Sequence, residues 1–206
     1  GAMLVALEAL VLKLNESRFK PSFLKLYDWA TVLEEKEAEG RSSKEAELHS
    51  LQRMSRLVTL SRVVNTLGER LKAIMVPYFS YLLQLFLSIL SDRATIFKPL
   101  SQPPPSSKKR KRDKDGDQDI AKQLADECTD WVVQALHKCF LYDTIAFTNK
   151  ERFEALHPPL VALLDDLSCG KERYQTRIDL YLKPAVIQLA VAVQAGTGSD
   201  LLWKPL

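Results

Sequence analysis

The chain has 206 residues and carries 29 Lys and Arg against 26 Asp and Glu, a net charge of +3. Apolar residues make up 46% and charged residues 27%, the balance of a folded globular chain, which excludes a fully disordered one. Only 7 residues are glycine, so tight-turned β-structure and Gly-rich phosphate loops find little support.

The charge is unevenly placed. Lys108, Lys109, Arg110, Lys111 and Arg112 are five consecutive cations. Without them the balance is 24 basic against 26 acidic residues, a net of −2. The folded parts are therefore expected to be near neutral.

The chain opens Gly1-Ala2-Met3, which reads as the remnant of a cleaved purification tag and is set aside. Helical spacing then dominates. Helices are expected at 4–14, 21–36, 43–75, 77–92, 120–141, 150–157, 159–168 and 171–195. Pro21 suits a first helical turn, where its missing N–H costs nothing. Ser42-Ser43-Lys44-Glu45 fits a capping box at the start of the third helix. Within it Leu57, Leu60, Val64, Leu67, Leu71 and Ile74 recur every three or four residues as one apolar stripe.

Residues 73–91 carry no charge and approach the minimum length of a membrane span. Pro77, Ser80, Gln84, Ser88 and Ser91 interrupt the run, so a buried central helix is the preferred reading. Residues 94–119 contain Pro103-Pro104-Pro105, the five cations and then alternating Asp and Lys. That composition buries little apolar surface and is expected to form a flexible basic loop. It separates helical halves at 4–93 and 120–206.

In the second half Ile120, Leu124, Cys128, Trp131, Ala135 and Cys139 form a stripe widened by Val132, Leu136 and Phe140. Thr148-Asn149-Lys150-Glu151 fits a second capping box, and Pro158 or Pro159 a new first turn. Gly170 and the pair Gly196 and Gly198 suit helix ends. Tyr174, Ile178, Tyr181, Ala185, Leu189 and Val193 make a third stripe. Pro77 and Pro184 must kink or split their helices, since an interior proline costs about 3 kcal/mol. No run alternates with period two. The fold class expected is all-α.

Residues able to carry chemistry are scattered. Cys128, Cys139 and Cys169 are too few and too odd in number for a disulfide framework, and reduced thiols in an intracellular protein are expected. Cys128 and Cys139 share a helix face and read as small buried apolar residues rather than a redox pair. His49, His137 and His157 fall in separate elements, so no metal site is expected. Asp165 and Asp166 are adjacent and point about 100° apart on a helix, so they do not face one site. Solvated surface is their preferred reading. No G-x-S-x-G, P-loop, G-x-G-x-x-G or H-E-x-x-H motif occurs, and no catalytic residue, metal or cofactor is assigned. Trp29, Trp131 and Trp203 are expected in the core.

Lys108–Arg112 is the informative site. On an extended backbone these cations can enter acidic grooves of an import receptor or lie along phosphates. A nuclear-import signal is preferred, phosphate contact with nucleic acid comes second, and a solvated charge run without a partner third. No aromatic residue stands nearby for base stacking, so RNA contact there is expected to be salt-sensitive.

Four segments together resemble one family. They are FKPSFLKLYDWA (19–30), LSRVVNTLGERLKAIMVPYF (60–79), KCFLYDTIAFTNKERFEALHPPLVALLDDL (138–167) and LWKPL (202–206). In combination and order they are similar to the C-terminal conserved region of the U3 small nucleolar RNA-associated protein 10 family, also called the HEAT repeat-containing protein 1 family. The resemblance covers most of residues 4–206, leaving out 31–50 and 94–119. It implies a HEAT-like α-α superhelix of stacked helix pairs. It also implies a non-enzymatic scaffold in the nucleus and nucleolus, within the UtpA (t-Utp) subcomplex of the small-subunit processome. The implied work is pre-18S rRNA processing and rRNA transcription. The implied partners are other UtpA subunits and, at least indirectly, pre-rRNA and the U3 snoRNP. The basic loop lies outside the shared pattern, and its import receptor is expected from this sequence alone. The apolar end at Trp203 to Leu206 leads one to expect that further helices followed. The rival reading is a helical module that binds pre-rRNA through the basic loop. No membrane partner is expected.

Overall fold

The computed structural model describes residues 15–32, 43–92 and 111–195, together with residues 9 and 13. The side chains of residues 16, 43–47, 111–118, 194 and 195 lie outside that description. Among the described residues every regular element is helical and none is a strand. The expected helix 4–14 falls almost wholly outside them, as do Ser42 of the first capping box, the Gly196–Gly198 pair and Trp203.

Helix α1 (Glu16–Thr31) begins five residues before the expected Pro21. Asn15 is the reason. Its side chain accepts the Arg18 N–H at 3.2 Å and so satisfies a donor of the first turn. Pro21 then lies inside the helix rather than at its start. The carbonyl it fails to engage, that of Ser17, belongs to an exposed residue and is not sealed in the core.

Helix α2 (Ser43–Leu71) runs into two short 3₁₀ turns, Lys72–Ile74 and Val76–Tyr78, before α3 (Phe79–Ser91). Pro77 stands in the second of these turns, so it splits the helical run as expected. The uncharged stretch becomes the buried helix α3, with Leu82, Phe86 and Ile89 fully enclosed. Each such side chain contributes about 1.5–3 kcal/mol through removal from water. No described helix is long and apolar enough to cross a membrane.

Helix α4 (Lys111–Leu141) starts nine residues before the expected Ile120. It therefore takes in Lys111, Arg112 and the Asp/Lys stretch expected to be loop.

Two expected helices merge in α5 (Lys150–Ala162), with Pro158 and Pro159 inside it. Its N-cap is Asn149, not Thr148. The Asn149 side chain accepts the Arg152 N–H at 2.9 Å, while Thr148 is buried one residue earlier. A 3₁₀ turn (Leu167–Cys169) follows and ends at Gly170, whose φ of 86° is ordinary only for glycine. From there α6 (Lys171–Thr176), a π-helical stretch (Arg177–Leu182) and α7 (Lys183–Ala195) run on without a break. The Lys183 N–H bonds the Ile178 carbonyl, five residues back. The wider turn lies where an α-helical path would drive the Pro184 ring into the Leu180 carbonyl.

Contacts along the chain fix the stacking. Ser61, Arg62 and Gly68 of α2 meet Cys128, Trp131 and Lys138 of α4 in rising order, so these two helices run parallel. Asp126 and Asp130 of α4 lie beside Arg177 and Arg173, and His137 and Lys138 face Tyr181 and Pro184, so the α6–α7 run is parallel to α4 as well. In the second layer Phe79 of α3 meets Phe147 just before α5, and Leu90 lies near Leu163 just after it. The arrangement is a row α2, α4, α6–α7 backed by α3 and α5, the order of a helical-repeat superhelix. Helix α4 is central, and Cys128, Val132, Val133, Ala135, Leu136 and Cys139 make it the spine of the core.

Candidate interaction surface

The basic run is only partly placed. Lys108, Lys109 and Arg110 lie outside the described residues. Lys111 and Arg112 open α4.

A buried ionic cluster joins the last two helices of the row. Arg177 at the start of the π-helical stretch is completely buried. Its Nε donates to Asp130 Oδ1 at 2.6 Å, Nη2 to Asp126 Oδ1 at 3.2 Å and Nη1 to Asp166 Oδ2 at 3.3 Å. Arg173 Nε donates to the other Asp130 oxygen at 2.8 Å. Burial opposes the charge on Arg177, but Asp130 and Asp126 outweigh it and hold the guanidinium firmly protonated. The cluster ties α4 to the turn after α5 and to the π-helical stretch.

Asp166 is thereby corrected from solvated surface to a member of this cluster. Its Oδ1 also accepts the Ser168 N–H at 3.1 Å. Asp165 remains exposed. Nothing in a periodicity argument singles out Arg177, because a lone arginine on a helix reads as a surface charge. The available signal was Asp126 and Asp130, two carboxylates four residues apart beside the apolar stripe of α4.

A groove of about 430 Å³ runs over α4 between α2 and the π-helical stretch. Asn65, Thr66, Glu69 and Arg70 form one bank, Gln134, His137 and Lys138 the floor, and Leu180, Tyr181 and Pro184 the other bank. Lys138 and Glu69 form an ion pair across it. The Lys138 hydrogen bond is the main reason the Glu69 carboxyl is held below its ordinary range. Burial, assisted by Lys138, pushes His137 down and favours its neutral form. Asn65 Oδ1 is buried with no hydrogen-bond partner among the described atoms. Leu180, by contrast, is 65% exposed. The bank therefore divides into polar and apolar sides.

Aromatic rings border the same surface, each under a cation. Arg62 lies 5.5 Å from the Trp131 ring and Lys72 5.9 Å from the Tyr142 ring. Trp29, expected in the core, is instead 44% exposed, with Arg56 5.4 Å from its ring. Trp131 is half-buried and donates to Glu127 Oε1 at 3.2 Å.

A second cleft of about 420 Å³ lies between Leu90–Asp92, Ala125 and the turn around Leu163 and Asp166. Cys128 and Cys139 are buried on α4, and Cys169 is half-buried. Burial pushes the Cys139 and Cys169 thiols up, which suppresses the reactive thiolate. Among the described residues no group of three His, Cys, Asp or Glu is placed to hold a metal ion.

Comparison with known proteins bears on this arrangement. The BP28CT (NUC211) domain matches residues 2–148. The HEAT repeat-containing protein 1 of Danio rerio is 30% identical over 213 residues, covering 100% of this chain and 8% of that protein. The Homo sapiens protein of the same name is 30% identical over 97% of this chain and 8% of its own length. The U3 small nucleolar RNA-associated protein 10 of Scheffersomyces stipitis is 38% identical over 81 residues, 39% of this chain and 4% of that protein. This chain thus spans less than a tenth of these relatives. Their names are not those of enzymes. No solved structure matches.

Proposed function

The chain belongs to the BP28CT (NUC211) domain family, and from that premise we propose that it is a scaffold segment of a nucleolar ribosome-biogenesis factor. The observation that carries this reading is similarity to HEAT repeat-containing protein 1 across the full chain. The name U3 small nucleolar RNA-associated protein 10 on fungal relatives points the same way. Its work is geometric. A row of parallel helices backed by a second layer presents a long surface to protein partners, without requiring a catalytic group.

On this reading the segment acts within the UtpA (t-Utp) subcomplex of the small-subunit processome and supports pre-18S rRNA processing and rRNA transcription. Its contacts are with other subunits, and those with pre-rRNA and the U3 snoRNP run at least partly through them. Affinity purification of the full-length protein, followed by mass spectrometry, tests this. Small-subunit processome components are expected to co-purify. Their absence would overturn the proposal.

Lys108–Arg112 is proposed as the import signal read by a nuclear import receptor. A reporter fused to residues 101–119 should enter the nucleus, and a reporter that stays in the cytoplasm refutes the role. The five adjacent cations also favour a second reading, direct phosphate contact with pre-rRNA. Salt-sensitive RNA binding that disappears when all five are replaced by Ala would support it.

A further inference from the structure

We propose that the outward face of α7 is covered by the apolar residues 201–206 of this same chain, folded back antiparallel along the helix. This contact closes the end of the helical row and does not depend on the processome reading.

Helix α7 is apolar on both sides. Leu182, Ala185, Leu189 and Val193 are buried on the side that packs against α4. Leu180, at the end of the π-helical stretch, and Ile187 and Val191 lie on the opposite side and are 65%, 54% and 53% exposed. From residue 183 to residue 195 the only charge is Lys183. A helix apolar all round is normally enclosed. Yet α7 is the last helix of its row, and no described helix encloses these three side chains.

The size of the stripe selects its occupant. Three partly exposed side chains offer on the order of a few hundred Å², whereas a standard interface buries about 800 Å² on each partner. A second copy or a folded partner needs a much larger surface than this. A short apolar segment does not. Leu201, Leu202, Trp203, Pro205 and Leu206 form such a segment, with Lys204 its one charge.

Residues 196–206 lie outside the described residues, and their reach decides whether they can arrive. Val191 and Leu180 are eleven residues apart, about 16 Å at the rise of a helix. Leu201 and Leu206 are five residues apart, about 16 Å on an extended backbone. Ile187 lies about 6 Å before Val191 along the helix, and Trp203 about 7 Å beyond Leu201 along the extended chain. Leu201 placed beside Val191 therefore sets Trp203 beside Ile187 and Leu206 near Leu180. Pro205 biases Lys204 towards the extended backbone this register needs. Between Ala195 and Leu201 stand five residues, two of them glycine, which suits a reversal. So short a tether holds the segment at an effective concentration on the order of mM, enough for a small apolar contact to form.

The 206-residue chain itself is the material for the test. NMR cross-relaxation between the Trp203 ring and the methyl groups of Ile187 and Val191 is expected, and its absence overturns the proposal. In a mixture of labelled and unlabelled chains the signal should stay within one molecule. A signal found only between molecules assigns the face to a second copy and overturns it as well. Urea denaturation supplies the energetic check. Ile187→Ala and Trp203→Ala should each lower the midpoint, and the double variant should lower it by less than the two shifts added, because both remove the same contact. Strictly additive shifts, or no shift for Trp203→Ala, would sink the contact. Co-purification with processome components is read separately, so neither result decides the scaffold reading.

Discussion

Arg177 shows how far a single side chain depends on its setting. It makes ion pairs with Asp126, Asp130 and Asp166 and has no exposure to water. Removing it would take the buried ion pair from Asp126 and leave Asp130 with Arg173 alone. Arg177→Ala is expected to destabilise the chain by about 3–5 kcal/mol. Arg177→Lys should recover little, because an ammonium lacks the planar fork that reaches three carboxylates at fixed angles. Urea denaturation followed by circular dichroism checks both. His137 carries a pH dependence of opposite origin. Its folded pKa lies below its unfolded value because burial and Lys138 disfavour the charged form. The unfolded state therefore takes up a proton first as pH falls. Stability conferred by the neutral ring is present above pH ~6.5, the unfolded value, and is lost as pH falls through the folded pKa. An NMR titration of His137 should show a lowered midpoint, and His137→Gln should flatten the acid limb of a stability–pH curve.

At the scale of elements, the caps and breaks decide where helices lie. Asn149 and Thr148 are neighbours with contrasting roles. Asn149 caps α5, and Asn149→Ala is expected to cost about 0.5–2 kcal/mol. Thr148 Oγ1 is buried with no partner among the described atoms. Thr148→Val, which removes that hydroxyl at nearly constant shape, is expected to be neutral or to stabilise by about 1 kcal/mol. Thermal unfolding of the two variants checks the contrast. The segment fits this assignment because Asp143 already holds the turn. Its carboxylate accepts the Phe147 and Thr148 N–H groups at 2.8 Å each, and Ala146, just before them, has a φ of 54°. The sequence pattern T-N-K-E could not separate the two candidate caps. Either residue has an oxygen at the right place, and only the long-range burial of Thr148 excludes it.

For the molecule as a whole the parallel contact of α2 with α4 is the main seam. A Cβ on Gly68 would stand 3.1 Å from the Lys138 Cβ, so glycine permits the close approach. Gly68→Val is expected to push the helices apart and destabilise by about 1–3 kcal/mol, as overpacking does. The measurement is the denaturation midpoint, with Gly170 left unchanged.

Much of this protein was legible as pattern. Leu57, Leu60, Val64 and Leu67 are buried as their spacing required, and so are Cys128, Ala135 and Cys139. Apolar periodicity, the absence of alternation and the position of Pro77 follow from local geometry, and local geometry is written in adjacent residues. The net charge likewise resolved into one short run. What tertiary structure alone decided lies where distant residues meet. Ile178 and Tyr181 were expected on the buried stripe, yet the π-helical stretch leaves them half-buried and encloses Arg177 and Leu182. That shift requires Asp126 and Asp130, some fifty residues earlier, to supply charge for an arginine that would otherwise stay in water. Groove and cluster both arise between helices, where the energy of a side chain depends on neighbours that sequence spacing does not name.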